Sequence, residues 1–228
     1  RIAKYAFIGL LTFFVICVIA GGGLFAYYVS SVPKLTENKL QSTNSSRIYD
    51  GNGGLIADLG SEKRESASTD EIPITLVNAI TSIEDKRFFT HRGIDVYRIM
   101  GAAINNLRHN STQGGSTLDQ QLIKLAYFST NTSDQTLKRK SQEIWLSLQM
   151  ERQYTKQEIL TFYVNKVYMG NGYYCMKTSA KSYFGKELCD LSVAHASLLA
   201  GIPQAPTQYD PYTNPDAAKE RRNTVLNE

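Results

Sequence analysis

Between Lys4 and Lys34 the chain carries no charged side chain. The apolar part of this stretch opens on Phe7 and closes on Val29, and at about 1.5 Å per residue a helix of that length crosses a hydrocarbon core of about 30 Å. A cleaved signal peptide has a shorter apolar core of about 7–15 residues followed by a small-residue cleavage site. The run therefore reads as one transmembrane helix. Arg1 and Lys4 precede it, so the positive-inside rule puts the N-terminus in the cytoplasm and everything after Val29 outside the cell membrane, with Tyr27 and Tyr28 at the outer interface. This divides the chain into a cytoplasmic stub and membrane helix (1–32), a linker (33–70) and one domain (71–228) long enough to bury a sizeable core.

The formal charge of +4 is mild. It does not argue for nucleic acid, and beside a bilayer it suits anionic head groups or phosphate-bearing substrates. Cys17 lies inside the span, and Cys175 and Cys189 alone have no framework spacing that demands a disulfide. No histidine and cysteine cluster has zinc spacing, so a metal here would take oxygen ligands.

Within the linker, two β-prone runs flank Asp50, Gly51, Asn52, Gly53 and Gly54, which reads as a short β-hairpin. Helical periodicity dominates thereafter, with no strand signal of comparable strength. Pro73 opens a helix running to about Lys86. Asp95 opens an amphipathic segment with Ile99, Met100, Ile104 and Leu107 on one side, and further helix starts fall at Ser133, Thr155, Ser192 and Asn214. Thr155 and Glu158 have capping-box spacing, which gives Glu158 a structural explanation before a catalytic one. The domain is mainly α.

Three stretches carry chemistry. Glu84 and Asp85 stand where an apolar helix runs out against Phe88 and Phe89, a setting that suits a carboxylate for base or acid work; taken alone, they are more simply surface partners of Lys86, Arg87 or Arg92. Gly114, Gly115, Ser116 and Thr117 open a helix bearing Gln120, Gln121 and Lys124, and there backbone N–H groups and hydroxyls can converge on an anion. Taken alone this is an ordinary turn and cap. Lys138, Arg139 and Lys140 precede Glu143, which taken alone is a solvated helix face.

In order, Glu84-Asp-x-x-Phe-x-x-His-x-Gly93, Gly114-Gly-Ser-Thr-x-x-Gln-Gln-x-x-Lys124, Arg139-Lys-x-x-Glu143 and Lys156-x-Glu-Ile-Leu-x-x-Tyr-x-Asn165 resemble the peptidoglycan glycosyltransferase domain. That domain occurs in bifunctional class A penicillin-binding proteins and in monofunctional transglycosylases, and the likeness runs from roughly Arg47 to Glu228. It implies a lysozyme-like helical fold. It also implies polymerisation of lipid II onto a growing glycan lipid diphosphate, with inversion at the anomeric carbon and release of undecaprenyl diphosphate. By motif match Glu84 is the general base, and Glu143 is the second catalytic glutamate, toward the leaving diphosphate. Asp85, Phe88, His91, Gly115, Ser116, Thr117, Gln120, Gln121, Lys124, Arg139, Lys140, Lys156 and Asn165 are the implied substrate-binding set. A divalent cation, Mg or Mn, can share the diphosphate charge with Glu143 as an oxygen ligand, although no spacing establishes it. The implied partners are the bilayer and cell-wall synthesis or division proteins. The segment 95–110 is expected to be mobile and partly lipid-facing.

The chain departs from the pattern at Asp119, where a small hydroxyl residue is common, at Leu125, where Asn is common, and at Cys175, where Gly is expected and a positive φ would be strained. The resemblance also implies a continuation into a transpeptidase domain, whose signature is not assembled here. Two other readings stay open: a lysozyme-like muramidase using Glu84 as acid, and a silent lipid II-binding scaffold.

Overall fold

The computed structural model describes residues 2–42, 47–58, 63–109, 114–128 and 136–228. Helix α1 (Ile2–Val29) is unburied across the whole of its apolar window. The one-turn helix α2 (Glu37–Leu40) follows it and buries Leu40. This junction is fastened to the domain. The Gln142 amide donates to Tyr28 O at 3.0 Å and Ser31 Oγ at 3.1 Å, and Thr36 N donates to the Tyr127 hydroxyl at 2.7 Å.

Strands β1 (Arg47–Tyr49) and β2 (Leu55–Asp58) form the expected antiparallel hairpin, with Arg47 opposite Asp58 and a bulge between Ile48 and Tyr49. Its turn follows from Asp50, whose Oδ1 accepts the backbone N–H of Asn52 (2.8 Å) and Gly54 (2.7 Å), and from Gly53 at φ +84°. Strand β3 (Lys63–Arg64) is a correction to the sequence reading. It pairs in parallel with β4 (Tyr173–Tyr174), a contact that two-residue strands far apart in the chain do not announce.

The domain core is built from α3 (Ile74–Glu84), α4 (Val96–His109), α5 (Leu118–Tyr127), α6 (Leu137–Gln153), α7 (Lys156–Lys166), α8 (Met176–Phe184), α9 (Val193–Gly201) and α10 (Pro215–Asn227). Leu76 and Ile80 of α3, Leu122 and Ile123 of α5, Leu146 and Met150 of α6, Ile159 and Val164 of α7, and Leu199 of α9 are fully buried in one cluster. Helix α5 lies against α6 and α7, and α3 and α10 against α9.

Local chemistry sets most of the helix starts. Thr155 and Glu158 cap each other reciprocally, as do Ser192 and His195, and Asn214 precedes Pro215 at the head of α10. Thr136 caps helix α6, accepting from Arg139 N at 3.2 Å; the helix start expected at Ser133 lies outside the described residues. Cys175 has φ +70° and ψ 149°, a conformation kept almost to glycine. Its thiol donates to Glu65 O at 2.8 Å and its sulfur caps Thr178 N at 3.5 Å. All three cysteines are free.

Candidate active site

Helix α3 stops at Glu84. Asp85, its C-cap, is extended (φ −159°, ψ 77°) and turns inward until it is fully buried, whereas Glu84 stays half-buried at a cavity. The Asp85 Oδ2 is bonded to His91 Nε2 at 2.8 Å and accepts Leu118 N at 3.0 Å, which ties the end of α3 to the first turn of α5. Arg98 of α4 donates to the Glu84 carbonyl and stands 3.9 Å from Asp85 Oδ1. The chain returns through Gly93 at φ +86°. A Cβ there would lie 2.8 Å from Ser147 O of α6, so both the backbone angle and the space require glycine. The Gly93 carbonyl accepts the Thr117 hydroxyl at 2.8 Å, and Thr117 with Gln120 forms the capping box of α5.

A cavity of about 950 Å³ is lined by Glu84, Ser116, Gln120, Gln121, Lys124 and Glu143 among others. Glu84 Oε2 accepts the Gln121 amide at 2.8 Å, and the Tyr163 hydroxyl donates to Gln121 Oε1 at 3.5 Å. Burial and, second, the Glu84 charge push the Tyr163 phenol well above its usual range, so it remains a donor and fixes the orientation of the Gln121 amide. Glu84 is thus steered by a neutral donor.

Glu143 is held differently. Its carboxylate lies 3.2 Å from Arg139 Nε and 3.1 Å from Lys140 Nζ, and Lys140 also donates to Ser116 Oγ at 2.7 Å. Two cations on one carboxylate leave net positive charge at Glu143, and Lys124 lines the same cavity. The same arrangement is a poor fit for Glu143 as a divalent-ion ligand, because an added cation would meet two like charges at once.

Arg139, Lys140 and the remaining motif residues are not among those lining the cavity. Phe88 is fully buried and takes the Lys156 ammonium over its ring at 4.3 Å, and Lys156 also pairs with Glu151. Asn165 fastens the linker, accepting Ala67 N and donating to Ala67 O, both at 2.7 Å. Asp85 Oδ2, His91 Nε2, the Phe88 ring, Thr117, Lys156 and Asn165 thus have contacts inside the protein, and none of the six residues is among those lining the cavity. Gly115 backs onto Ile99 of α4. Conversely, Arg64, Tyr163, Lys166, Tyr168, Tyr174, Gln204 and Pro206 line the cavity unforeseen. The Gly201-Ile-Pro-Gln-Ala-Pro206 run was a visible signal for two of them; Arg64 had none.

Behind the site, Asp85, His91 and Asp119 bring polar atoms within 4.8 Å of one another. Asp119 is fully buried, and neither of its oxygens meets a donor among the described residues. Burial pushes its carboxyl well above the usual range, Lys156 pulls it down, and the adjacent Glu151 pushes it up. Two carboxylates only accept, so the contact with Glu151 becomes a hydrogen bond when Asp119 carries a proton.

Helix α4 leaves Val96, Tyr97, Ile99, Met100 and Ile104 exposed on its surface.

The family described as Transglycosylase matches residues 52–228. Penicillin-binding protein 1A of Streptococcus oralis is 64% identical over 229 aligned residues, covering 100% of this chain and 36% of that protein. The protein of the same name from Streptococcus pneumoniae is 59% identical over 228 residues, covering 100% of this chain and 32% of that protein. Penicillin-binding protein 1A/1B of Bacillus subtilis is 47% identical over 219 residues, covering 95% of this chain and 24% of that protein. The chain spans from about a quarter to about a third of the length of these curated relatives.

Proposed function

The chain belongs to the transglycosylase family, and from that premise we propose that it is a membrane-anchored peptidoglycan glycosyltransferase that polymerises lipid II. The observation that carries this reading is the division of charge at one cavity: Glu84 is held by a neutral amide, whereas Glu143 is held by Arg139 and Lys140, and Lys124 lines the same cavity.

Each half suits one end of the transfer. Glu84 takes the proton from the acceptor sugar hydroxyl as its oxygen forms a bond to the anomeric carbon of the donor. The bond from that carbon to the diphosphate breaks with its electron pair going to the diphosphate, and the cations take up the charge that develops there. A diphosphate leaves without protonation. A glycosidase has to protonate its leaving group, and for that it needs a second free carboxyl group across the bond. Glu143, engaged by Arg139 and Lys140, is not a free carboxyl group. This disfavours the muramidase reading.

The apolar helix α1 supplies the anchor, and Arg1 and Lys4 before it support a cytoplasmic N-terminus with the cavity outside. Incubating the protein with lipid II in detergent tests the proposal. Polymer bands that disappear with Glu84→Gln are the expected result; shortening of finished glycan would indicate a hydrolase, and lipid II binding without turnover a scaffold.

A further inference from the structure

A second cavity, of about 500 Å³, opens where α1 meets α6. Val29, Val32 and Lys34 form one wall, and Trp145, Gln149 and Arg152 the other. The last three are spaced by four and three residues and share a face of α6. It shares no lining residue with the active-site cavity. The hydrogen bonds from Gln142 to Tyr28 and Ser31 hold the two walls together.

Its level in the membrane follows from α1. The apolar stretch ends at Val29, so the cavity lies where acyl chains give way to head groups. Its chemistry matches that level. The Val29 and Val32 side chains are apolar, Trp145 is the residue type that settles at such interfaces, and two cations line the wall with no carboxylate among the lining residues. Lys34 and Arg152 are both exposed, and neither forms an ion pair among the described residues. Arg152 has a plain structural explanation in the last turn of α6, where a cation favours the helix end. That explanation does not reach Lys34, which comes from a different element and lines the same cavity.

We propose that this cavity binds the head group of an anionic glycerophospholipid, with the phosphate between Lys34 and Arg152 and Trp145 against the glycerol and upper acyl chain. A volume of this size accommodates such a group. The proposal rests on α1 crossing the bilayer, and its test separates the two.

The chain contains a single tryptophan, so its fluorescence reports on this cavity alone. The full chain is reconstituted in vesicles containing brominated phosphatidylglycerol or, at the same mole fraction and total anionic charge, brominated phosphatidylcholine. Each cation near an anionic leaflet is worth roughly fivefold in binding, so half-quenching is expected at a mole fraction of brominated phosphatidylglycerol lower by up to about thirtyfold. In the double variant Lys34→Gln, Arg152→Gln, the two lipids are expected to quench alike. Equal quenching of the unaltered chain by both lipids overturns the site and leaves the anchor standing; no quenching by either overturns both. Loss of the preference on adding millimolar glycerol phosphate assigns the site to soluble phosphate and overturns the lipid proposal.

Discussion

Replacing Asp119 by asparagine should stabilise the protein, and more so at alkaline pH. Asp119 is fully buried, with two oxygens that meet no donor among the described residues. An unsatisfied buried polar group costs about 1–3 kcal/mol. An asparagine of nearly the same volume brings an N–H that can donate to the adjacent Glu151, removing much of that cost while opening no cavity. Lys156 already offsets part of the cost, which places the gain toward the lower end, about 1–2 kcal/mol. For a domain of this size each kcal/mol moves the melting temperature by about 2–4 °C, so the variant should melt about 2–8 °C higher at pH 8. The sign with pH follows from the direction of the shift. The folded carboxyl titrates well above its ordinary value of 3.8, so between the two values the folded state holds a proton that the unfolded state has released. Raising the pH through that window therefore favours unfolding of the unaltered protein, and lowering it restores stability. The asparagine amide of the Asp119→Asn variant does not titrate, so the advantage of the variant should shrink toward pH 5. Thermal melts of both proteins at pH 5 and pH 8 measure it. An advantage equal at the two pH values, or larger at pH 5, refutes the reasoning.

Glu84→Gln should lower lipid II polymerisation by about 10²- to 10⁴-fold, the usual contribution of a general base, while the melting temperature changes little; wild-type turnover would remove Glu84 from the mechanism. Gly93→Ala puts a methyl 2.8 Å from Ser147 O at φ +86°, and the backbone penalty of about 1–2 kcal/mol plus the clash should lower stability by about 2–4 kcal/mol in a denaturant titration. Unchanged stability would mean that α6 yields there. At Cys175, Gly relieves a backbone strain of about 1–3 kcal/mol that Ala keeps, while both lose the sulfur contacts. Cys175→Gly should therefore unfold at higher denaturant than Cys175→Ala, and the reverse order would show that the φ of +70° carries no cost.

What could be read from the sequence was what neighbouring residues decide between themselves. The hairpin turn at Asp50 and Gly53, the capping boxes at Thr155 and Ser192, and the proline at the head of α10 each rest on groups within four residues of one another. The cap of α6 at Thr136 went unread because it is one of several serines and threonines in that stretch, and nothing local singles it out. Parallel pairing of β3 with β4 depends wholly on tertiary structure, and with it go Arg64 and Tyr174, which that pairing delivers to the cavity. The motif residues divided along a line that composition cannot draw. A polar side chain at a fixed position serves equally to contact a ligand or to brace the residue that does, and the contacts Lys156 and Asn165 make here are with the protein itself.

The adjacent acids Glu84 and Asp85 show how that division arises. Neighbours within a helix differ by about 100° of rotation and otherwise share an environment. Here the helix ends between them. The extended backbone of Asp85 sends its carboxylate into the interior, where the Leu118 N–H at the head of α5 and the His91 ring receive it. Glu84, on the last helical residue, stays at the cavity with Gln121 of the same α5. Both acids thus grip one helix, Asp85 at its N-terminus and Glu84 one turn later, so the position of the proposed base is set by the burial of its neighbour. Exchanging the two residue types would not conserve the site. A glutamate at 85 has one methylene too many for a fully enclosed seat, and an aspartate at 84 falls short of the Gln121 amide that Glu84 reaches at 2.8 Å.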